Sequence, residues 1–144
     1  MPMFNNIMLV CIGNICRSPI AEVMLKDQHP QLTVFSSGLG ALAGKPADPF
    51  SVELMTEKGI DLTNHCAQQI NTVLVSSSDL ILTMEQRHVD KLHSQYPESR
   101  GKVHLIGKWI DNKEIPDPYK KDKKAFIHAM TLIEAGLDAW KNKL

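Results

Sequence analysis

Along the chain, continuous apolar runs alternate with stretches whose apolar residues recur every three or four positions. From Asn6, the run Ile7-Met8-Leu9-Val10-Cys11 is apolar without alternation, the pattern of a strand buried on both faces of a parallel sheet. Gly13 and Asn14 interrupt it. Ser18 followed by Pro19 reads as an N-cap with proline at the first helical position, which predicts a helix through Ala21, Met24 and Leu25 toward Gln28. The unit is strand, polar loop, helix.

The same alternation continues. Thr33 to Ser36 reads as a short strand, Gly38 to Lys45 as a loop, and Asp48-Pro49 as the start of a helix that Gly59 ends. Leu80 to Met84 predicts a third strand, leading into a helix from about Glu85 to Gln95 that Pro97 stops. Val103 to Ile106 predicts a fourth strand. Phe126, Met130, Ile133, Leu137, Trp140 and Leu144 recur at spacings of four and three, placing one apolar stripe on a long C-terminal helix. Strands alternating with helices specify an α/β fold: a four-stranded parallel sheet with helices on both faces and ligands bound beyond the carboxyl ends of the strands. Without repeats or a dividing linker, residues 1–144 are expected to form a single domain.

Charge narrows the classes of partner. Sixteen basic and sixteen acidic residues cancel, so no global field draws the chain to nucleic acid or to an anionic membrane. The run from Ile7 to Ile12 is far too short to span a bilayer, and direct membrane insertion is not expected. Three cysteines cannot all pair with one another, and a core of this size needs no disulfide. Reduced thiols in the cytoplasm are the expectation. His88 and His93 lie five apart on a predicted helix, a spacing that does not share one face, and no metal or cofactor is expected.

The chemistry concentrates in the loop after the first strand. It reads Cys11-Ile12-Gly13-Asn14-Ile15-Cys16-Arg17-Ser18, with the arginine six positions after the first cysteine. A loop between the carboxyl end of a strand and the amino end of a helix can turn successive backbone N–H groups onto one anion, and the helix dipole adds positive potential. A thiolate is stabilised there like any other anion, so Cys11 is expected to be a nucleophile at neutral pH. Arg17 offers a planar fork that matches two phosphoryl oxygens. Gly13 is expected to let the backbone close on the anion, Asn14 to tolerate positive φ and tie the loop, and Ser18 to bond the thiolate.

At these residues the sequence resembles the low-molecular-weight protein tyrosine phosphatases. The resemblance rests on Cys11 to Pro19, Ser37-Gly38, Asp48-Pro49, His65, the stretch from Asp79 to Glu85, and Asp117-Pro118-Tyr119. It is closer to the bacterial members that act beside tyrosine autokinases in capsule and exopolysaccharide production. It implies Cys11 as nucleophile, Arg17 as phosphate clamp and Asp117 as general acid. Ile12, Gly13, Asn14, Ile15, Cys16 and Ser18 would form the phosphate-binding loop, His65 would support it, and Tyr119 would line the mouth. The implied substrate is a phosphotyrosine protein, expected to be a membrane tyrosine autokinase, and the enzyme is expected to be a monomer. The stretch Ile115-Pro116-Asp117-Pro118-Tyr119 is too proline-rich for a helix and can hold a carboxylate over a pocket.

One departure from the animal members is the loop Leu39-Gly40-Ala41-Leu42-Ala43, which lacks their aromatic wall and leaves Leu42 or Leu39 as apolar cover. Two rival readings stand beside the phosphatase. A thiol-dependent arsenate reductase would need a further cysteine pair, and beyond Cys16 the chain has only Cys66. A phosphoprotein-binding or phosphocarrier module would have no use for Asp117 as proton donor. Cys66 itself reads as a packed structural thiol. Cys16 reads equally as a resolving thiol for oxidised Cys11 or as a packed residue. The lysines at 120, 121, 123 and 124 read as a solvated helix start, with attraction of an acidic phosphopeptide as the alternative.

Overall fold

The computed structural model describes residues 4–144. Four parallel strands, β1 (Asn6–Cys11), β2 (Thr33–Gly38), β3 (Leu80–Thr83) and β4 (Val103–Leu105), lie in the order β2-β1-β3-β4. Five helices connect and cover them: α1 (Arg17–Gln28), α2 (Pro49–Glu57), α3 (Thr72–Ser77), α4 (Gln86–Gln95) and α5 (Lys123–Trp140). The continuous apolar run of β1 is explained by what lies on each side. Ile7, Leu9 and Cys11 pack into a core shared with α1, α2 and α5, while Met8 and Val10 pack into a second core that holds Val75 of α3 and Val89 and Leu92 of α4. Parallel crossovers place β2 and β3 on opposite sides of β1, so the chain diverges at the carboxyl end of β1 and opens a crevice there.

Most predicted elements stand within a residue or two of their expected bounds, and the departures have local causes. Asp48 caps α2 by accepting from the Phe50 N–H, and Gly59 takes the positive φ that ends that helical segment. α1 begins one residue before the expected cap: Ser18 lies inside its first turn and turns its hydroxyl to Cys11 instead of capping. α3 is not among the elements predicted from sequence; it forms despite β-branched Thr72, Val73 and Val75, with Asn71 starting it by accepting from the Leu74 N–H. Of the apolar C-terminal stripe, Phe126 to Trp140 lies on α5 and Leu144 lies beyond it, past a 3-10 turn at Lys141–Lys143. Lys123 is part of the start of α5, where its ammonium meets Glu53 at 2.7 Å and Glu57 at 3.6 Å.

α5 crosses the end of β4 at Gly136, where an added Cβ would collide with the Ile106 side chain and come within 2.9 Å of the Ile106 carbonyl oxygen. Backbone cannot give way as a flexible side chain can. Gly136→Ala is therefore expected to lower stability by about 1–3 kcal/mol through overpacking, although alanine favours helix by about 1 kcal/mol. Urea denaturation checks this: an unchanged or higher midpoint would mean that α5 has room to shift.

Candidate functional site

The loop from Cys11 to Cys16 is shaped by what binds its carbonyl groups. The Cys11 carbonyl accepts from the Leu39 N–H at 2.9 Å, that of Ile12 from Gly40 at 3.0 Å and that of Gly13 from Leu42 at 3.0 Å. The Asn14 carbonyl lies 2.6 Å from His65 Nε2, so that nitrogen carries the proton, since a carbonyl cannot donate. The Ile15 carbonyl accepts from the Asp48 N–H at 2.8 Å, and that of Cys16 from the Ser51 hydroxyl at 3.2 Å. Each peptide is planar, with N–H and C=O opposed, so turning these carbonyls outward turns the following N–H groups inward. Among the described residues, the amides of Gly13 to Arg17 meet no protein acceptor. The result is a concave set of donors at a helix N-terminus, suited to a tetrahedral anion.

Asn14 is the hinge of this loop. It is the residue at positive φ (59°), whereas Gly13 is not left-handed, and a Cβ at Gly13 would meet nothing closer than 3.8 Å. The expected need for glycine falls instead on Gly38, where a Cβ would strike the Ile12 carbonyl oxygen. The Gln68 N–H donates to Asn14 Oδ1 at 2.9 Å, which fixes the orientation of the amide. Its Nδ2 then donates to Ser18 Oγ at 2.8 Å and Ser36 Oγ at 3.0 Å. The Ser36 hydroxyl donates in turn to Glu22 Oε1. Ser18, already accepting from Asn14, keeps its proton free for Cys11 Sγ at 2.9 Å. The network can therefore present a hydrogen bond to a thiolate.

Arg17 is 1% exposed, and one edge of its guanidinium is tied down. Nη1 donates to Glu85 Oε2 at 2.6 Å and to the Ile115 carbonyl at 2.8 Å. Nη2 lies 3.8 Å from Asp117 Oδ2, and Nε is buried with no partner among the described residues. The Nε–Nη2 edge is thus left for a ligand, in the fork geometry that suits two phosphoryl oxygens. Sequence reasoning gave no role to Glu85 by itself. Burial works to raise its pKa, but bonds from Arg17 and Arg87 outweigh this and hold it below the usual carboxylate range. His88 lies beneath, accepting from the Glu85 N–H through Nδ1 and placing Nε2 3.5 Å from Glu85 Oε2. The signals that could have found both are a carboxylate at the end of a strand and a histidine three residues on.

The pocket that these groups enclose holds about 160 Å³, with Cys11 and Arg17 in its floor and Ile12, Leu42, Asp117 and Tyr119 around its opening. Leu42 is 39% exposed at the rim; Leu39, the other expected cover, is buried in the second core and does not line the pocket. Asp117 Oδ1 accepts from the Tyr119 N–H at 3.0 Å, which fixes the carboxylate in its loop. That loop is anchored by Ile115, whose N–H donates to the Met84 carbonyl and whose own carbonyl accepts from Arg17. Cys16 lines the pocket as a buried free thiol; burial pushes its pKa up, and the charge of Asp48 pushes it further. Cys66 departs from expectation, being exposed and not packed, because the 65–70 segment turns Ala67 and Ile70 inward and Cys66 outward.

A sulfur at the bottom of an amide cradle, beside an open guanidinium edge, suits attack on a phosphoryl group, the chemistry of cysteine-dependent phosphatases. Comparison with known proteins agrees. Residues 6–144 match the family model described as low molecular weight phosphotyrosine protein phosphatase. The chain is 51% identical over 142 residues to the low molecular weight protein-tyrosine-phosphatase Wzb of Escherichia coli (strain K12), covering 99% of this chain and 97% of that protein. It is 45% identical over 138 residues to the probable phosphatase EpsP of Ralstonia nicotianae, covering 96% and 94%. The structure of Vibrio vulnificus Wzb in complex with benzylphosphonate superimposes with a TM-score of 0.95 at 48% identity, covering 98% of this chain and 99% of that one. The chain belongs to the low-molecular-weight protein tyrosine phosphatase family, and neither the arsenate reductase nor the binding-module reading is favoured.

His88 supplies a pH test of this site. Its pKa is lowered from 6.5 to about 4, by burial first and by the nearby Arg17 charge second. The unfolded chain therefore takes up a proton near pH 6.5 that the folded protein refuses until about pH 4. Stability drawn from this neutral, buried ring is complete above about 6.5 and falls as pH drops toward 4. His88→Asn, which keeps an acceptor for the Glu85 N–H, is expected to flatten the urea-midpoint profile across that window by close to one proton. An unaltered slope would place the titration elsewhere.

Proposed function

We propose that Cys11 is the nucleophile, Arg17 the phosphate clamp and Asp117 the general acid of a two-step hydrolysis of phosphotyrosine. In the first step Cys11 Sγ attacks phosphorus in line; the S–P bond forms, the P–O bond to the ring breaks, and Asp117 gives its proton to the departing phenolate. Water then attacks the cysteinyl phosphate, the S–P bond breaks, and Asp117 takes the proton from the water. Inward amides and the Nε–Nη2 edge of Arg17 stabilise the equatorial oxygens throughout. The observation that carries this reading is the open Nε–Nη2 edge of a buried arginine at the same pocket as the Cys11 thiol, with Nε unpartnered among the described residues and Nη2 meeting Asp117 only at 3.8 Å.

The relatives Wzb and EpsP support a phosphoprotein substrate, and the family resemblance favours a tyrosine autokinase of exopolysaccharide or capsule production. Among the described residues no helix is long and apolar enough to cross a membrane, and all three cysteines are free. Both suit a cytoplasmic enzyme acting on the cytoplasmic part of such a kinase.

Asp117→Ala is expected to slow hydrolysis of phenyl or tyrosyl phosphate by about 100-fold or more, and of a nitrophenyl ester far less, because only the poor leaving group needs the proton. Cys11→Ser is expected to abolish turnover of both while phosphate still binds. Equal losses for the two esters in Asp117→Ala would remove the acid role.

Incubation with the phosphorylated tyrosine autokinase from the same cell is expected to strip its phosphotyrosine, read by antibody. Retention of the signal while an aryl phosphate is hydrolysed would remove this partner but leave the chemistry standing.

A further inference from the structure

Away from the pocket, the free edge of β4 carries an aromatic and basic hollow that the hydrolysis does not use. Trp109 is 43% exposed, and its ring meets that of Trp140 edge-on, with centroids 5.6 Å apart. Two ammonium groups lie over it, Lys108 Nζ at 4.8 Å and Lys143 Nζ at 4.7 Å from the ring centroid. With Phe4, His104 and Asn142 these side chains line a depression of about 310 Å³ that contains no carboxylate. A second hollow of about 150 Å³ shares His104 and Lys108, continues past Val103 to Gln86, and also lacks a carboxylate in its lining. Two carboxylates stand at that far end: Glu114 accepts from the Gln86 N–H and Asp90 accepts from Gln86 Nε2. In a chain of zero formal charge, the Trp109 end of this strip is a local excess of positive charge around exposed aromatic surface.

We propose that this strip is a docking site for an acidic, tyrosine-bearing segment of the phosphoprotein substrate, separate from the residue being dephosphorylated. The inference rests on the reading of the enzyme as acting on a protein. Charge complementarity selects the occupant. Carboxylates of the segment would meet Lys108 and Lys143, and an aromatic side chain would stack against Trp109, which is already polarised by the cations. A bilayer fits less well. Interfacial anchors push apolar side chains about 5–10 Å into the headgroup boundary, whereas here the indole lies in a depression with lysine heads folded across it.

Trp109 and Trp140 are the two tryptophans of the chain, so intrinsic fluorescence reports this site directly. Unphosphorylated glutamate–tyrosine copolymer, excited selectively at the indole, is expected to change that fluorescence in a salt-sensitive way, in the wild type and equally in Cys11→Ser. The Lys108→Glu/Lys143→Glu variant is expected to lose the response. On the tyrosine-phosphorylated copolymer that variant should lose about tenfold in kcat/KM, carried by KM, the size expected when a rim ion pair is reversed. Its hydrolysis of p-nitrophenyl phosphate should stay at the wild-type rate. Trp109→Ala, checked by thermal melting for a folded protein, should weaken copolymer binding in the same direction. No fluorescence change with copolymer would overturn the proposal, as would an equal loss on both substrates or a response only to phosphatidylserine vesicles. Failure of the active-site reading would show differently, as copolymer binding without turnover in the wild type.

Discussion

The site depends on one constraint: every peptide carbonyl from Cys11 to Cys16 is held outward by a donor from another part of the chain. Inward amides repel one another, and without a bound anion nothing within the cradle rewards their convergence. The donors that impose it come from the 39–42 loop, from His65, and from Asp48 and Ser51 at the start of α2. Those segments are held in turn. Gln69 clamps the 39–41 backbone, donating to the Leu39 carbonyl and accepting from the Ala41 N–H, and the 44–45 backbone pairs with Ala67. The connections between β2 and β3, which add little to the sheet, act as the outer mould of the phosphate loop.

Electrostatics add a second requirement, because a buried guanidinium must be compensated without being saturated. Glu85 and the Ile115 carbonyl satisfy one edge of Arg17 and leave the other open. Had Glu85 paired in bidentate fashion with the Nε–Nη2 edge, the carboxylate would compete directly with a phosphoryl group for the same donors. Arg87 draws on both oxygens of Glu85 from the solvent side, and His88 borders it from below as a neutral ring. The carboxylate is thereby confined to a position where it orients Arg17 without filling its fork. The strap from Met84 through Ile115 couples the same arginine to the loop that carries Asp117, so Arg17 and Asp117 share one mechanical support.

The sheet, the order of elements and the location of the site were legible because the sequence signals there are local. An unbroken apolar run, a cysteine and arginine six apart, and a proline after a potential cap all fall within one short window. What was not legible depends on contacts across long separations. Glu85 lies 68 residues from Arg17, and nothing in a lone glutamate at a strand end announces that partner. Of the two roles expected of Ser18, the bond to Cys11 is present and the cap is not, because tertiary demand from Cys11 and Asn14 takes its hydroxyl. Asn14 takes the positive φ expected of it, but the steric need for glycine expected at position 13 falls at Gly38, against a carbonyl on a different segment. Cys66 looked buried because free cysteines often are, and only the turning of its segment decided the matter.

The rim explains how a small pocket can favour one phosphoester over another without an aromatic wall. Cys11 is 3% exposed, so a phosphate must descend fully before sulfur can reach it. A phosphoserine ester is shorter, so reaching the same floor would bring its backbone closer to the rim. The ring of phosphotyrosine would add that length, passing an opening lined by Leu42 and Tyr119. Leucine cannot stack, but it excludes water from the ring face, and burying apolar area contributes about 25 cal/mol per Å² whatever the shape of the covering group. The burial of Cys11 would therefore favour an aryl ester, and the absence of an aromatic side chain at position 42 would lessen stacking on its ring.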